Sequence, residues 1–383
     1  MKVLFDATCV TKNKAGVGVY VANLLRELAS MPHSFQLFVL VQDDDPSMDF
    51  GGRPNVRTIR VPAKIFRILP FRFLLEQIIL PILVLWYRID VVHSPHYSLP
   101  LMCFGARRIV TIHDMTFYNM PEFHDRFKVF YFRLFIWASA HLADGLIFVS
   151  HSAERDFRSR FNHYRNRSWV IHHGKSEAFR ANLEPGQIER VRRTYELGTN
   201  FALYIGTLEP RKNVARLVDA FVSIAAKHPE LTLVIAGMKG WMYDGIYEAV
   251  ANSGLESRVK FTGFIPEEDK PYLLAASTIF IYPSLYEGFG IPVLESLACG
   301  IPTVTSDISS LPEVAGKAAL LIDPTQKEQI SLAMDRLLSD SSLYERLRKE
   351  AILQAAKFTW RKTAQQTLTS YEDVISDEKY SRF

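Results

Sequence analysis

Residues Tyr282 to Pro302 read YPSLYEGFGIPVLESLACGIP, and the rest of the chain is organised around them. The apolar run Ile279–Tyr282 predicts a strand entering a loop that holds Glu287, Gly288 and Gly290. Val293–Cys299 has helical spacing, with Pro292 just inside its start and Gly300 and Pro302 stopping it. A glycine-rich loop feeding a helix start turns backbone N–H groups towards an anion. Glu287 lies in the loop and Glu295 one turn into the helix. Carboxylates repel phosphate, so their expected partners are hydroxyls, those of a sugar and a ribose. Either glutamate alone also fits a surface loop with a capping acid; the ordered combination is what points to a ligand.

Outward from this stretch, short apolar runs alternate with helical spacing. Val3–Phe5, Gln36–Val41, Val91–His93, Ile109–Ile112, Gly145–Val149 and Trp169–Ile171 read as strands, with helical stretches between. A polar interval over Lys175–Thr199 interrupts the rhythm. It restarts at Phe201–Ile205 and continues through Leu231–Ala236, Val259–Phe261, Ile279–Ile281, Pro302–Thr305 and Ala318–Leu321. Such alternation predicts an α/β protein with two doubly wound parallel sheets. The expected domains are residues 1–175 with 361–383 returning to them, and residues 176–360. Open parallel sheets bind ligands beyond the carboxyl ends of their strands, so a substrate cleft is expected between the two.

At 383 residues the chain is long enough for two cores. Its three cysteines, Cys9, Cys103 and Cys299, make no close pair, which argues against a disulfide framework or a cysteine zinc site. Met1-Lys2-Val3-Leu4-Phe5-Asp6 meets an acid too early for a signal peptide. The longest apolar run, Ile78 to Tyr87, has ten residues and contains Pro81. No bilayer span is therefore expected, since one needs about 20, and the expected location is cytoplasmic. The net charge of +4 is uneven: residues 51–90 hold seven bases against Glu76 and Asp90, a local excess of five. Those bases mix with Phe66, Phe71, Phe73, Leu74 and Trp86. The segment reads either as a peripheral contact with the inner, anionic face of a membrane or as core with a solvated basic face. No nucleic-acid motif accompanies it.

Several stretches after strands carry candidate chemistry. Gly16-Val17-Gly18 invites a dinucleotide reading, but Val21 occupies the third small position of that fingerprint. A nicotinamide oxidoreductase is therefore the weaker alternative, and close approach of Gly16 and Gly18 to a phosphate the stronger. Asp43-Asp44-Asp45 resembles a metal-holding run but sits before Pro46 and a glycine pair, and reads as a solvated turn. Gly206-Thr207-Leu208-Glu209-Pro210-Arg211-Lys212-Asn213 lies between a strand and a helix. There Arg211 and Lys212 suit a diphosphate, and Gly206 lets a nucleotide come near. Ile112-His113-Asp114 ends a strand of the first half, where His113 is placed to contact a sugar or stabilise charge. His93 and His96 are spaced as metal ligands without a carboxylate partner and read as structural or substrate-lining.

Taken together these residues resemble the retaining glycosyltransferases of family 4, with their two-domain GT-B fold. The resemblance rests on Glu287 and Glu295 with seven residues between them, on Gly206 with Arg211-Lys212-Asn213, on the Gly16/Gly18 loop and on Ile112-His113-Asp114. Phe261-Thr262-Gly263-Phe264 and Ser309-Ser310-Leu311-Pro312-Glu313-Val314 add to it. It implies that Arg211 and Lys212 bind the donor diphosphate and Glu295 the ribose. Glu287, with backbone N–H groups of Phe289, Gly290 and Ile291, would hold the donor sugar and phosphate. His113 would meet the sugar near the reacting carbon, Phe264 and Ile265 would border the base, and Gly16 and Gly18 would face the phosphates. The implied co-substrate is a nucleotide-diphosphate hexose, with UDP-glucose slightly ahead of GDP-mannose. The implied acceptor is a saccharide or lipid-linked oligosaccharide of surface polysaccharide assembly. No cofactor or metal is expected. A catalytically idle nucleotide-sugar sensor is the rival from another class.

Overall fold

The computed structural model describes residues 1–11, 16–31, 35–50, 52–164 and 166–376. The chain forms two compact units, Met1–Gly174 with Thr359–Phe383, and Lys175–Phe358. Each is built on one parallel sheet.

In the first unit the strands are β1 Lys2–Asp6, β2 Gln36–Gln42, β3 Val56–Val61, β4 Val91–Ser94, β5 Arg107–Ile112, β6 Gly145–Phe148 and β7 Arg167–Val170. They lie in the order β3-β2-β1-β4-β5-β6-β7, every pair parallel. The order reverses between β1 and β4, and such a switch point opens a crevice beyond the strand ends. In the second unit β8 Phe201–Ile205, β9 Thr232–Ala236, β10 Val259–Gly263, β11 Ile279–Tyr282, β12 Thr303–Ser306 and β13 Ala319–Ile322 run β10-β9-β8-β11-β12-β13. Here the switch falls between β8 and β11. Both of these strands are buried along their whole length, which is why they read as unbroken apolar runs: helices cover both faces of a parallel sheet.

The last helix, Trp360–Ile375, belongs to the first unit. Thr359 caps it by accepting from the Lys362 N–H at 3.2 Å. It packs on the Val17–Ser30 helix, and Trp360, Ala364 and Tyr371 join the core that contains Val3, Phe5 and Val21. His93 explains part of this attachment. Buried in β4, it bonds the Tyr371 hydroxyl through Nδ1 at 2.6 Å and the Thr111 hydroxyl through Nε2 at 2.8 Å. Burial, with the nearby His113, pushes its pKa down to about 3. His93 is thus a neutral structural tie between two strands and the returning helix, the structural of the two roles left open for it.

Three expectations change. Residues 51–90 are not one basic segment, because Val56–Val61 is edge strand β3, with Arg57 and Arg60 on it. Of the acids Asp43 to Asp45, the first two are exposed as a solvated turn requires, but the third is buried. Asp45 is buried and accepts from Ser47 N and Oγ, Asp43 accepts from Ala63 N at 2.9 Å, and Asp44 pairs with Arg67 at 2.6 Å. Finally, Gly18 is not in a loop but buried in the first turn of Val17–Ser30, with Gly16 at its N-cap; Asn13, Lys14 and Ala15 lie outside the described residues.

Candidate functional site

The switch point of the second unit gathers four charged side chains. After β8 the chain makes one 3-10 turn, Pro210–Lys212, and Asn213 starts the Val214–Ile224 helix in a left-handed conformation, φ 62°. Asparagine suits both demands of this position. It tolerates the left-handed backbone, and its amide donates to the carbonyls of Pro283 at 3.0 Å and Pro324 at 2.7 Å. The turn is thereby fastened to the loop after β11, where Leu285 N also donates to Arg211 O at 2.9 Å.

So placed, Lys212 Nζ donates to Glu287 Oε1 at 2.6 Å and to the Tyr282 hydroxyl at 2.9 Å. Tyr282 itself donates to the same carboxylate oxygen at 2.9 Å. Arg211 lies 3.3 Å from the other Glu287 oxygen, binds Glu209 at 2.6 Å and donates to the Tyr286 carbonyl at 2.5 Å. Two bases and two acids make a neutral knot. Both bases that the sequence reading assigns to a diphosphate are engaged here by glutamates of their own unit.

Burial works against the charge on Glu287, yet Lys212 and Arg211 outweigh it and hold its pKa down to about 2. Lys212 is the strained partner. Burial and the Arg211 charge push its pKa down, while Glu287 and Glu209 offset part of that. The backbone of Glu287 is fixed from the next strand end, since its N–H donates to Ser309 Oγ at 3.1 Å, and Ser310 Oγ donates to the carbonyls of Glu287 and Phe289. Ser309 holds φ 57° to reach this position.

Past the knot, Gly290 caps the Ile291–Ala298 helix with φ 106°, a region glycine alone enters freely. A Cβ there would also meet Leu311 Cδ2 at 2.6 Å. Phe289 and Gly290 thus bring the chain to a helix start whose first N–H groups have no helical acceptor. Glu295, one turn on, is 8% exposed, and no hydrogen bond reaches its carboxyl from any described residue. Burial raises its pKa to about 8, with Lys270 lowering and Glu267 raising it. These two charges follow closely on Ile265, buried, and Phe264, 49% exposed, which stand just beyond β10. At the neighbouring strand ends Gly206 and Gly237 touch: a Cβ on Gly237 would lie 1.9 Å from the Gly206 carbonyl. Gly237 lets the strand ends come this close, while a Cβ on Gly206 would meet the Tyr204 hydroxyl at 2.6 Å.

In the first unit His113 follows β5. Its Nε2–H donates to the Pro95 carbonyl at 2.7 Å, which fixes the tautomer and leaves Nδ1 as the acceptor. Burial lowers its pKa, opposed by that bond and by Asp114. The ring lies edge-on to Tyr20 at 5.0 Å and to His173 at 5.8 Å. Asp114 is held by the Tyr97 hydroxyl at 2.8 Å. The structure thus holds the His113 ring by a backbone carbonyl, with burial disfavouring its charged form.

Comparisons with known proteins agree on what this framework is. Residues 187–354 match the family described as glycosyl transferases group 1, and residues 15–176 match glycosyltransferase family 4. The O-antigen chain mannosyltransferase B of Escherichia coli is 33% identical over 75% of this chain and 75% of its own. The chain belongs to the family 4 glycosyltransferases. The serotype-specific mannosyltransferase WbdA of Escherichia coli is 29% identical over 75% of this chain, which spans only 36% of that longer protein. Among solved structures, sucrose-phosphate synthase from Thermosynechococcus elongatus superposes with a TM-score of 0.78 at 20% identity, covering 98% of this chain and 99% of that one. The fold is GT-B.

Within this glycosyltransferase, Arg211, Lys212 and Glu287 share one set of contacts, while Gly206, Phe264, Ile265, Phe289, Gly290, Ile291 and Glu295 come from strand ends and one helix of the same unit. His113, Gly16 and Gly18 belong to the other unit. Sequence reading missed Glu209 as the counter-ion of Arg211 and Tyr282 as the bridge between Lys212 and Glu287. Glu209 had a signal in its place two residues before Arg211. Tyr282 had none beyond being a polar-tipped residue at the end of a buried strand.

Proposed function

We propose that the protein is a retaining, metal-independent mannosyltransferase. It moves mannose from a nucleotide-diphosphate donor, GDP-mannose ahead of UDP-glucose, to a saccharide or lipid-linked oligosaccharide in surface polysaccharide assembly at the inner face of the membrane. The observation that carries the reading is the Lys212–Glu287–Arg211–Glu209 knot at the strand switch point, in a chain whose similarity to mannosyltransferases extends over 75% of its length.

A neutral knot receives a charged donor by exchange. The diphosphate competes with Glu287 and Glu209 for Lys212 and Arg211, and the carboxylate so released accepts a sugar hydroxyl. Lys212, whose charge burial opposes, gains most from a second anion. In the transfer step the bond from the anomeric carbon to the phosphate oxygen breaks and a bond to the acceptor oxygen forms on the same face. The acceptor proton passes to the departing phosphate. The two bases stabilise the charge growing on that leaving group, a device removal of which slows enzymes by about 10²- to 10³-fold. His113, neutral with Nδ1 as acceptor, suits a sugar hydroxyl better than it suits a phosphate.

Thermal unfolding against a panel of nucleotide sugars tests the donor, because a ligand bound only by the folded state raises the melting temperature. GDP-mannose is expected to give the largest shift and mannose transfer to persist in a chelator. A larger shift with UDP-glucose would reverse the sugar assignment, and activity abolished by a chelator and restored by Mg²⁺ would end the metal-independent reading.

A further inference from the structure

The helical stretch Pro70–Tyr87 is apolar on every side. Its inner stripe, Leu75, Leu80 and Val84, is fully buried against β1, β2 and β4 residues Leu4, Phe38, Leu40 and Val92. Its opposite stripe, Phe71, Leu74, Ile78, Ile82 and Leu85, keeps helical spacing yet faces outward, and Trp86 beside it is 78% exposed. A helix apolar all round is one buried on all sides. This one is covered on one side only.

Two further segments extend the surface. Gln77 ties the helix to the next loop, donating to Leu99 O at 3.0 Å and accepting from Leu101 N at 2.8 Å. That loop carries Met102 and Phe104, 69% and 73% exposed. Phe73 contacts Phe135 of the Arg126–Leu142 helix edge-on at 6.4 Å. On that helix Phe127 and Phe130 are 61% and 68% exposed. Of the 27 exposed large hydrophobics among the described residues, 16 fall between Ile65 and Trp137. A patch of this extent marks an interaction site.

Charge selects the occupant. Residues 63–88 and 126–142 together contain seven bases and one acid, Glu76. That acid is 2% exposed and bound to Arg72 at 2.8 Å, and the exposed Asp125 just before the second helix is engaged in capping it, accepting from Phe127 N and Lys128 N. Lys64, Arg88, Arg126 and Lys128 are exposed. Aromatic and aliphatic side chains ringed by bases that outnumber the acids suit anionic headgroups over an apolar layer.

We propose that this face docks on an anionic lipid bilayer as an interfacial, non-spanning surface. Pro70–Tyr87 is long and apolar enough to cross a membrane by length and composition, against the expectation from the ten-residue run. The turn Leu75–Ile79 is wound as a π-helix, which gives room for Pro81 and lets the helix continue. Crossing would strip Leu75, Leu80 and Val84 from the core and carry the Arg72–Glu76 pair into lipid. The helix therefore lies flat, inner stripe on the sheet and outer stripe in the interface. The inference deepens the lipid-linked-acceptor reading, on which its functional meaning rests, but its test does not depend on it.

Full-length protein is floated with vesicles of phosphatidylcholine alone or mixed with phosphatidylglycerol. Flotation is expected with the mixed vesicles, reduced about tenfold by high salt or by omitting the anionic lipid. The pair Ile82→Glu with Trp86→Glu is expected to reduce it by a similar factor, and so, independently, is Phe127→Glu with Phe130→Glu. Leu353→Glu, on an exposed position of the other unit, is expected to change nothing. Both double variants keep the donor-induced thermal shift if only the docking face is damaged. Wild-type protein that stays at the bottom at low salt overturns the proposal. So does a dimer that Trp86→Glu dissolves, since the face would then join two copies of the chain. An absent donor shift in protein that floats overturns the donor reading alone.

Discussion

Glu287 and Glu295 are the same side chain with seven residues between them, one partly buried in a loop and the other buried in the helix that follows, and they differ in charge state. Glu287 sits where two strand ends meet. Lys212, Arg211 and Tyr282 reach it, so it stays ionised down to about pH 2. Glu295 sits on the helix flank, feels only a distant Lys270 opposed by Glu267, and holds its proton up to about pH 8. One is an anion at neutral pH and the other mostly a neutral acid that can donate a hydrogen bond. Spacing locates a pair of glutamates; the neighbours decide what each of them is.

The contrast is broken most directly by neutralising each residue in turn. Glu287→Gln leaves Lys212 and Arg211 without their shared counter-charge inside the protein. Breaking one side of a buried pair costs about 3–5 kcal/mol, and loss of the knot is expected to slow transfer by roughly 10²- to 10³-fold. Glu295→Gln replaces a protonated acid by its near isostere. Below about pH 4.5, where the acid is protonated folded and unfolded alike, its expected effect on stability is under about 1 kcal/mol, within the range of ordinary substitutions. Urea unfolding and initial transfer rates of the two variants measure the difference. Equal damage from both would mean that Glu295 is ionised as well.

Stability against pH sharpens the same comparison, because the two shifts have opposite signs. The folded pKa of Glu287 lies below its ordinary 4.5, at about 2. Its ionic stabilisation is present above pH 4.5 and lost as the pH falls through about 2, worth roughly 3 kcal/mol by linkage. The folded pKa of Glu295 lies above 4.5, at about 8. Its neutral form favours the fold fully below pH 4.5, and that advantage is lost as the pH rises to about 8, by at most roughly 4–5 kcal/mol. Wild type is therefore expected to gain on Glu287→Gln between about pH 2 and 4.5 and to lose ground to Glu295→Gln between about pH 4.5 and 8. Parallel profiles for both variants would contradict the assignment.

How much of this was legible in the sequence follows the range of the interactions. Continuous apolar runs such as Phe201–Ile205 and Ile279–Tyr282 announce strands buried on both faces, and Gly290 with Pro292 announces the helix start. Those are local signals. β3 was hidden because Arg57 and Arg60 on an edge strand imitate a basic surface segment. The helix through Pro81 was hidden because a proline normally ends one, and only the π-helical turn before it lets it continue. The neutrality of the knot was hidden for another reason. That Glu209 and Glu287 consume the charge of Arg211 and Lys212 depends on β8 lying beside β11, a contact across more than seventy residues that no spacing reveals.

Tyr282 is the subtlest part of the same contact. Its hydroxyl lies 2.9 Å from both Lys212 Nζ and Glu287 Oε1, and its ring stacks on Tyr204 at 5.8 Å. Tyr282→Phe keeps the stacked ring and removes only the bridge. The direct Lys212–Glu287 contact at 2.6 Å survives, so the loss is one hydrogen-bonding group shared by two ions, about 1–2 kcal/mol. If the bridge also keeps Lys212 turned towards Glu287 before the donor arrives, its removal eases the exchange onto phosphate. The variant is then expected to lose stability while its KM for the donor stays within about twofold, an energy change of roughly 0.4 kcal/mol. A KM raised tenfold with stability unchanged would make Tyr282 part of the donor's own binding surface, and the knot would no longer be a device that the donor opens.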